Sequence, residues 1–216
     1  MKLAEAIRYV IWGLMTALAL LLFVITAEYL SFRSDVNFLL VKQDIVFDNL
    51  WRPTFYVHVI AGMAVILVGP FQFLKFFRNR FLKWHRMAGK IYAYGILVLA
   101  APSGLIMAFY AEGGFWSTVA FAVMSLLWFV TTLMAVVSIR RRNVEAHRIW
   151  MMRSYALSFA AVTLRLLVPL LSLYIHNNED LITVSTAWLN WLLNLLVAEG
   201  MIFALQRKTN KLKITT

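Results

Sequence analysis

Six separate apolar runs, each long enough to cross a lipid bilayer as a helix, constrain this 216-residue chain more than any other feature. A hydrocarbon core about 30 Å thick takes roughly 20 residues of helix, because a helix rises about 1.5 Å per residue and satisfies its own backbone hydrogen bonds where water cannot. The runs cover residues 9–30, 54–76, 84–110, 115–139, 146–175 and 184–206. Only 14% of the chain is charged, against about 25% in soluble domains. The first run exceeds the usual apolar core of a signal peptide, about 7–15 residues, and no small-x-small cleavage site follows in Thr26-Ala27-Glu28-Tyr29. It is expected to remain as an uncleaved signal anchor.

A net charge of +11 raises the question of nucleic acid, but a nucleic-acid binder gathers its cations on one water-facing surface. Here they lie in short clusters between apolar runs. Lys2 and Arg8 precede the first span; Lys75, Arg78, Arg80, Lys83 and Arg86 separate the second from the third; Arg140, Arg141, Arg142 and Arg148 separate the fourth from the fifth; Arg207, Lys208, Lys211 and Lys213 follow the sixth. Lys and Arg collect on the cytoplasmic side, so the alternation predicts an all-α, polytopic transmembrane helix bundle of six helices with both termini inside. The other side carries Arg33, Lys42 and Arg52 with the acids Asp35, Asp44, Asp48, Glu112, Glu179 and Asp180. One transmembrane domain, 1–216, is expected, with an external loop at 31–53 that lies along the interface as a short helix anchored by Trp51. Tyr9, Tyr29, Trp84, Tyr110, Trp116, Trp150 and Tyr174 fall near span ends, where amphipathic rings settle at the headgroup level.

The chain has no cysteine, which excludes disulfides, thiolate metal sites and a cysteine nucleophile, and leaves four histidines as its strong nitrogen ligands. Phosphate-loop, Gly-x-Ser-x-Gly and His-Glu-x-x-His motifs are absent. On the fifth span, His147, Ser154, Ser158, Arg165, Ser172 and His176 fall within about 20° of one line at 100° per residue, a polar stripe across the membrane. An arginine at mid-membrane costs about 2.5–3.5 kcal/mol, so Arg165 is expected to face the interior beside a partner. Glu199 is the leading candidate, with Asn190 and Asn194 closer in depth. The competing reading is a buried polar network, Ser158 included, that only holds the helices together. A second stripe, His58, Gly62, Val65, Gly69 and Gln72, runs along the second span, where small residues allow close approach of a helix or a flat ligand.

Topology sorts the histidines into two levels, His58 and His176 externally, His85 and His147 at the cytoplasmic face. Paired imidazoles are the usual axial ligands of a membrane b-type haem, so His85 with His147, and His58 separately, are the cofactor candidates. Arg86 and Arg148 follow two of them and suit haem propionates, but lipid phosphates equally. His85 and His147 are also the candidate metal ligands for Zn or Cu.

Several motifs carry a resemblance: His58-Val59-Ile60-Ala61-Gly62 with Gly69-Pro70-Phe71-Gln72-Phe73, His85-Arg86-Met87-Ala88-Gly89-Lys90-Ile91-Tyr92, His147-Arg148-Ile149-Trp150-Met151-Met152-Arg153-Ser154-Tyr155-Ala156-Leu157, and Thr163-Leu164-Arg165-Leu166. In this order they resemble the bacterial membrane-protein family called domain of unknown function 2306. The resemblance implies a multi-pass protein of the bacterial cytoplasmic (inner) membrane and no established activity. The His-Arg-x-x-Gly piece is similar, more loosely, to ferric reductase and cytochrome b561-type membrane domains, which implies haem b, electron transport and a quinone or redox partner.

Two classes of function follow: a redox protein with histidine-held haem or metal, or a cofactor-free solute carrier, assembly factor or lipid-binding scaffold built on the polar stripe. Both depend on the orientation. A cytoplasm-active reporter fused in the turn between the second and third spans is expected to be active, and a periplasm-active one silent; the reverse pattern would invert every assigned level.

Overall fold

In the computed structural model the backbone is described for residues 3–214 and the side chains for residues 9–207. Lys2 and the side chains of Arg8, Lys208, Lys211 and Lys213, counted above among the cationic flanks, lie outside the described residues. Six helices are long and apolar enough to cross a membrane: Tyr9–Ser31, Trp51–Gln72, Leu82–Ala108, Gly114–Arg140, Val144–Ser172 and Glu179–Arg207. No strand occurs among the described residues. The transmembrane region is built from two compact units, one ending at Tyr110 and the next beginning at Ala111.

In the first unit α1 (Leu3–Ala27) tightens into a 3-10 turn, Glu28–Ser31. The segment to α2 (Trp51–Gln72) holds a second 3-10 piece, Asn37–Val41, and a small core of its own. Trp51 is 1% exposed and stacks on Phe55 at 5.1 Å, while Tyr29 meets Phe55 edge-on at 5.1 Å, with Leu39 and Val46 packed beside them. The expected interfacial helix anchored by Trp51 is therefore corrected. These five side chains of the loop and helix ends gain more by burying one another than by lying at a headgroup layer.

Helix α2 starts where it does because Asp48 Oδ1 accepts from the N–H groups of Leu50 (2.8 Å) and Trp51 (2.7 Å), two donors with no partner inside the helix. Pro53, two residues into the helix, has no N–H to satisfy. The span ends at Gln72 rather than 76, just after Pro70, whose carbonyl accepts from Trp12 Nε1 at 3.0 Å and ties α1 to α2. The cationic residues that follow form the short α3 (Lys75–Arg80).

The third span is irregular. Helix α4 (Leu82–Tyr94) passes through one π turn, Gly95–Ala100, into α5 (Ala101–Ala108). Ala101 N–H reaches back five residues to the Ile96 carbonyl, and Pro102 immediately after it cannot donate at all. The widened turn accommodates that missing donor. At its start a Cβ on Gly95 would lie 3.2 Å from Val65 Cγ2, so glycine lets α2 come close there.

The second unit opens on Gly113, at φ +82°, where a Cβ would sit 2.5 Å from Ser117 Oγ. Helix α6 (Gly114–Arg140) follows, and a turn at 141–143 leads to α7 (Val144–Ser158), whose first turn is capped by Asn143 Oδ1 accepting from Ala146 N–H at 2.9 Å. A single residue, Phe159, separates α7 from α8 (Ala160–Ser172). Helix α9 (Glu179–Ile214) completes the unit.

The N–H groups of Trp51 and then Leu50 hold the Asp48 carboxyl below the usual carboxylate range. Its contribution is complete above that range and fades as pH falls through the lower folded value. Asp48→Ala should lower the thermal midpoint at neutral pH. The gap between wild type and Asp48→Ala should narrow only below about pH 4, near the ordinary carboxylate pKa.

Candidate functional site

Two histidines are held in the same way. His58 on α2 lies with Nδ1 2.8 Å from the Ala100 carbonyl, at the end of the π turn, and Ser103 Oγ is 3.4 Å from the same nitrogen. His147 on α7 lies with Nδ1 2.8 Å from the Ala135 carbonyl of α6. A carbonyl only accepts, so each Nδ1 carries the proton, and in the neutral ring the lone pair is on Nε2. Both rings are half-buried. A main-chain carbonyl on Nδ1–H is the support that fixes tautomer and direction in ligating imidazoles.

The other two histidines differ. His85 is half-buried on α4, one turn before Gly89, and a Cβ on Gly89 would lie 3.5 Å from Oε1 of Gln72, which is 9% exposed. The inner part of the second-span stripe, Val65, Gly69 and Gln72, is thus buried packing surface. His176 is exposed in the turn between α8 and α9.

Distance along the helices decides which histidines can share an ion. His58 bonds to Ala100, and His85 precedes Ala100 by fifteen residues of the same span, roughly 22 Å at 1.5 Å per residue. These two therefore serve different levels. Among the described residues no three His, Asp or Glu side chains come together as a metal site. Arg86 is exposed on α4. Arg148 is exposed on α7, about 100° around the helix from His147, and lines a shallow groove against α9 while His147 turns toward α6. The second His-Arg pair thus divides between two neighbours.

The polar stripe of the fifth span does not run as one line. Ser154, 0% exposed, bonds to Thr132 of α6 at 2.8 Å; Ser158 accepts from Trp128 Nε1 at 3.0 Å and donates to the Ser154 carbonyl at 3.1 Å. With His147 these side chains tie α7 to α6. The stripe expected across the whole span is divided at Phe159, between buried serines on α7 and exposed Arg165 and Ser172 on α8. Interhelical hydrogen bonds in hydrocarbon have no water to compete with, and the serines are spent on them. Past Phe159, Arg165 and Ser172 are exposed; Arg165 Nη1 donates to the Ala161 carbonyl at 3.1 Å and Ser172 to the Val168 carbonyl at 2.8 Å.

The expected pairing of Arg165 with Glu199 is also corrected. Glu199 takes both donors of a fork from Arg153, Nε at 2.5 Å and Nη2 at 2.9 Å, and the Arg153 guanidinium lies 4.7 Å from the Trp150 ring centroid. Depth explains the choice: Arg153 is nine residues into α7 and Glu199 eight residues before Arg207, so both stand at one level from the cation-rich end. The two depths are legible in the sequence; which faces α7 and α9 turn to each other is not. Asn190, 1% exposed, donates within its own helix to the carbonyls of Thr186 (2.5 Å) and Ala187 (3.0 Å), and Asn194 Oδ1 accepts from Thr163 of α8 at 3.0 Å. The single network expected of Arg165, Glu199, Asn190, Asn194 and Ser158 is thus a set of local ties: Ser158 to α6, Glu199 to α7, Asn194 to α8.

Six apolar spans carrying histidines, an ion pair and hydroxyl ties at membrane depth define a polytopic α-helical membrane protein. The chain belongs to the predicted membrane protein family DUF2306, whose model matches residues 55–202, more than half its length. The match begins at the stacked Phe55 and ends on α9, so it includes every histidine and the Arg153–Glu199 pair. No curated protein and no solved structure matches the chain, and the looser likeness to ferric reductase and cytochrome b561-type domains finds no support in these comparisons.

A charge left alone at membrane depth is costly. Glu199→Gln or Arg153→Gln should each lower stability by about 1–2 kcal/mol, and exchanging the charges, Arg153→Glu with Glu199→Arg, should recover part of that loss. Heat-induced loss of monodisperse protein in detergent measures it, and an unaltered Glu199→Gln would mean the fork does not form.

Proposed function

We propose that the chain is a multi-pass redox protein of the bacterial cytoplasmic membrane that holds a b-type haem or a transition metal through histidine. One observation carries the reading: in two different spans an imidazole has its Nδ1–H tied at 2.8 Å to a main-chain carbonyl, which sets the tautomer whose lone pair is on Nε2. Neutral imidazole nitrogen suits haem iron, zinc and copper alike. The carbonyl holds each ring against rotation and raises the basicity of Nε2. His58 and His147 are the ligands so prepared, and His85, beside the cation Arg86 that suits a propionate, is the third candidate. Haem iron or copper, when bound, would supply one-electron transfer to or from a quinone or a redox partner, which zinc, having no second oxidation state, would not.

The reading is tested by the absorption spectrum and metal content of detergent-purified protein from haem-replete cells. A Soret band, or bound iron or copper, is expected, with part of it lost in His147→Ala and part separately in His58→Ala, at unchanged elution volume. Colourless, metal-free protein would overturn it.

A further inference from the structure

The cation-rich end of α7 and α9 carries a feature outside the histidine chemistry. Glu145, Arg148 and Gln206 stand at the mouth of a shallow groove of about 60 Å³, and Ile149, Met152 and Ile202 form its walls toward the membrane interior. The deep end is marked by the Arg153–Glu199 fork, the next turn inward on the same two helices, which keeps both of those charges engaged with each other. The first turn of α7 already has its N–H group capped by Asn143, so the helix end is not the attraction. What the groove offers is one cation and one anion, three residues apart on α7, above an apolar floor.

That combination has one natural complement in a bilayer. A phospholipid whose headgroup carries a phosphate and a protonated primary amine, of the phosphatidylethanolamine type, presents one negative and one positive group a short distance apart, above an acyl chain. We infer that this groove is a binding site for such a lipid. The phosphate accepts from the Arg148 guanidinium, the ammonium donates to the Glu145 carboxylate, and the upper acyl chain lies along Ile149, Met152 and Ile202. A purely anionic headgroup would face Glu145 as a like charge. A quaternary ammonium has no N–H to give it.

Native mass spectrometry of the full chain released from micelles tests this, with equal amounts of phosphatidylethanolamine, phosphatidylglycerol and phosphatidylcholine as competing probes. The expected result is preferential retention of phosphatidylethanolamine. Arg148→Ala should weaken it about tenfold, the loss of one charge-assisted hydrogen bond, and Arg148→Lys should weaken it less. Glu145→Gln should abolish the preference over phosphatidylcholine while phosphate-dependent retention persists. Equal retention of the three lipids, preference for phosphatidylglycerol, or retention indifferent to Arg148→Ala would overturn the inference. Both side chains are exposed, so neither substitution threatens the fold, and neither touches the histidines on which the redox reading stands.

Discussion

Hydrocarbon offers no hydrogen bonds, and every polar group that this chain carries into its spans must be answered by the chain itself. That requirement organises the two units more than apolar packing does, since lipid is as good a solvent for leucine as another helix is. Trp12 finds the Pro70 carbonyl, Trp128 finds Ser158, Ser154 finds Thr132, Thr163 finds Asn194, and Arg153 finds Glu199. Each of these joins two different helices. The helices are held in register at the points where a polar side chain would otherwise be stranded.

The same rule explains why the histidines are interesting. An imidazole brings one donor and one acceptor, and in His58 and His147 the donor is consumed by a neighbouring backbone. The irregular third span is part of this arrangement. Its π turn ends at Ala100, the residue whose carbonyl takes the His58 proton, and Gly95 at its beginning lets α2 close in. A regular helix there would point its carbonyls along its own axis. Departure from regular geometry at a side chain with chemical capacity is common where a function is housed. The lipid-facing groove on α7 and α9 is a separate matter, governed by headgroup charge.

Much of the fold was legible because its determinants are local. Span number and approximate ends follow from run length, and the family was recognisable from His-Arg and Gly-Pro motifs kept in order. Two boundaries differ from run length: the second span ends at Gln72, and α9 begins earlier than expected at Glu179, where Asn178 Oδ1 accepts from Leu181 N–H at 2.9 Å. The loop at 31–53 departs from its sequence expectation for a different reason. Its Trp51 is amphipathic, and composition does not distinguish a ring at the interface from one stacked on Phe55.

The sequence by itself determined that the chain crosses a membrane six times as helices, because spanning depends on the number of consecutive apolar residues and on nothing further away. Only the tertiary structure decided partners: that Glu199 answers Arg153 rather than Arg165, that the serines of the fifth span face α6, and that His147 and Arg148 part company around one helix. Partner choice depends on which faces two helices turn to each other and at what depth. Helical periodicity places side chains on a face, but the neighbour on that face is set by the rest of the chain.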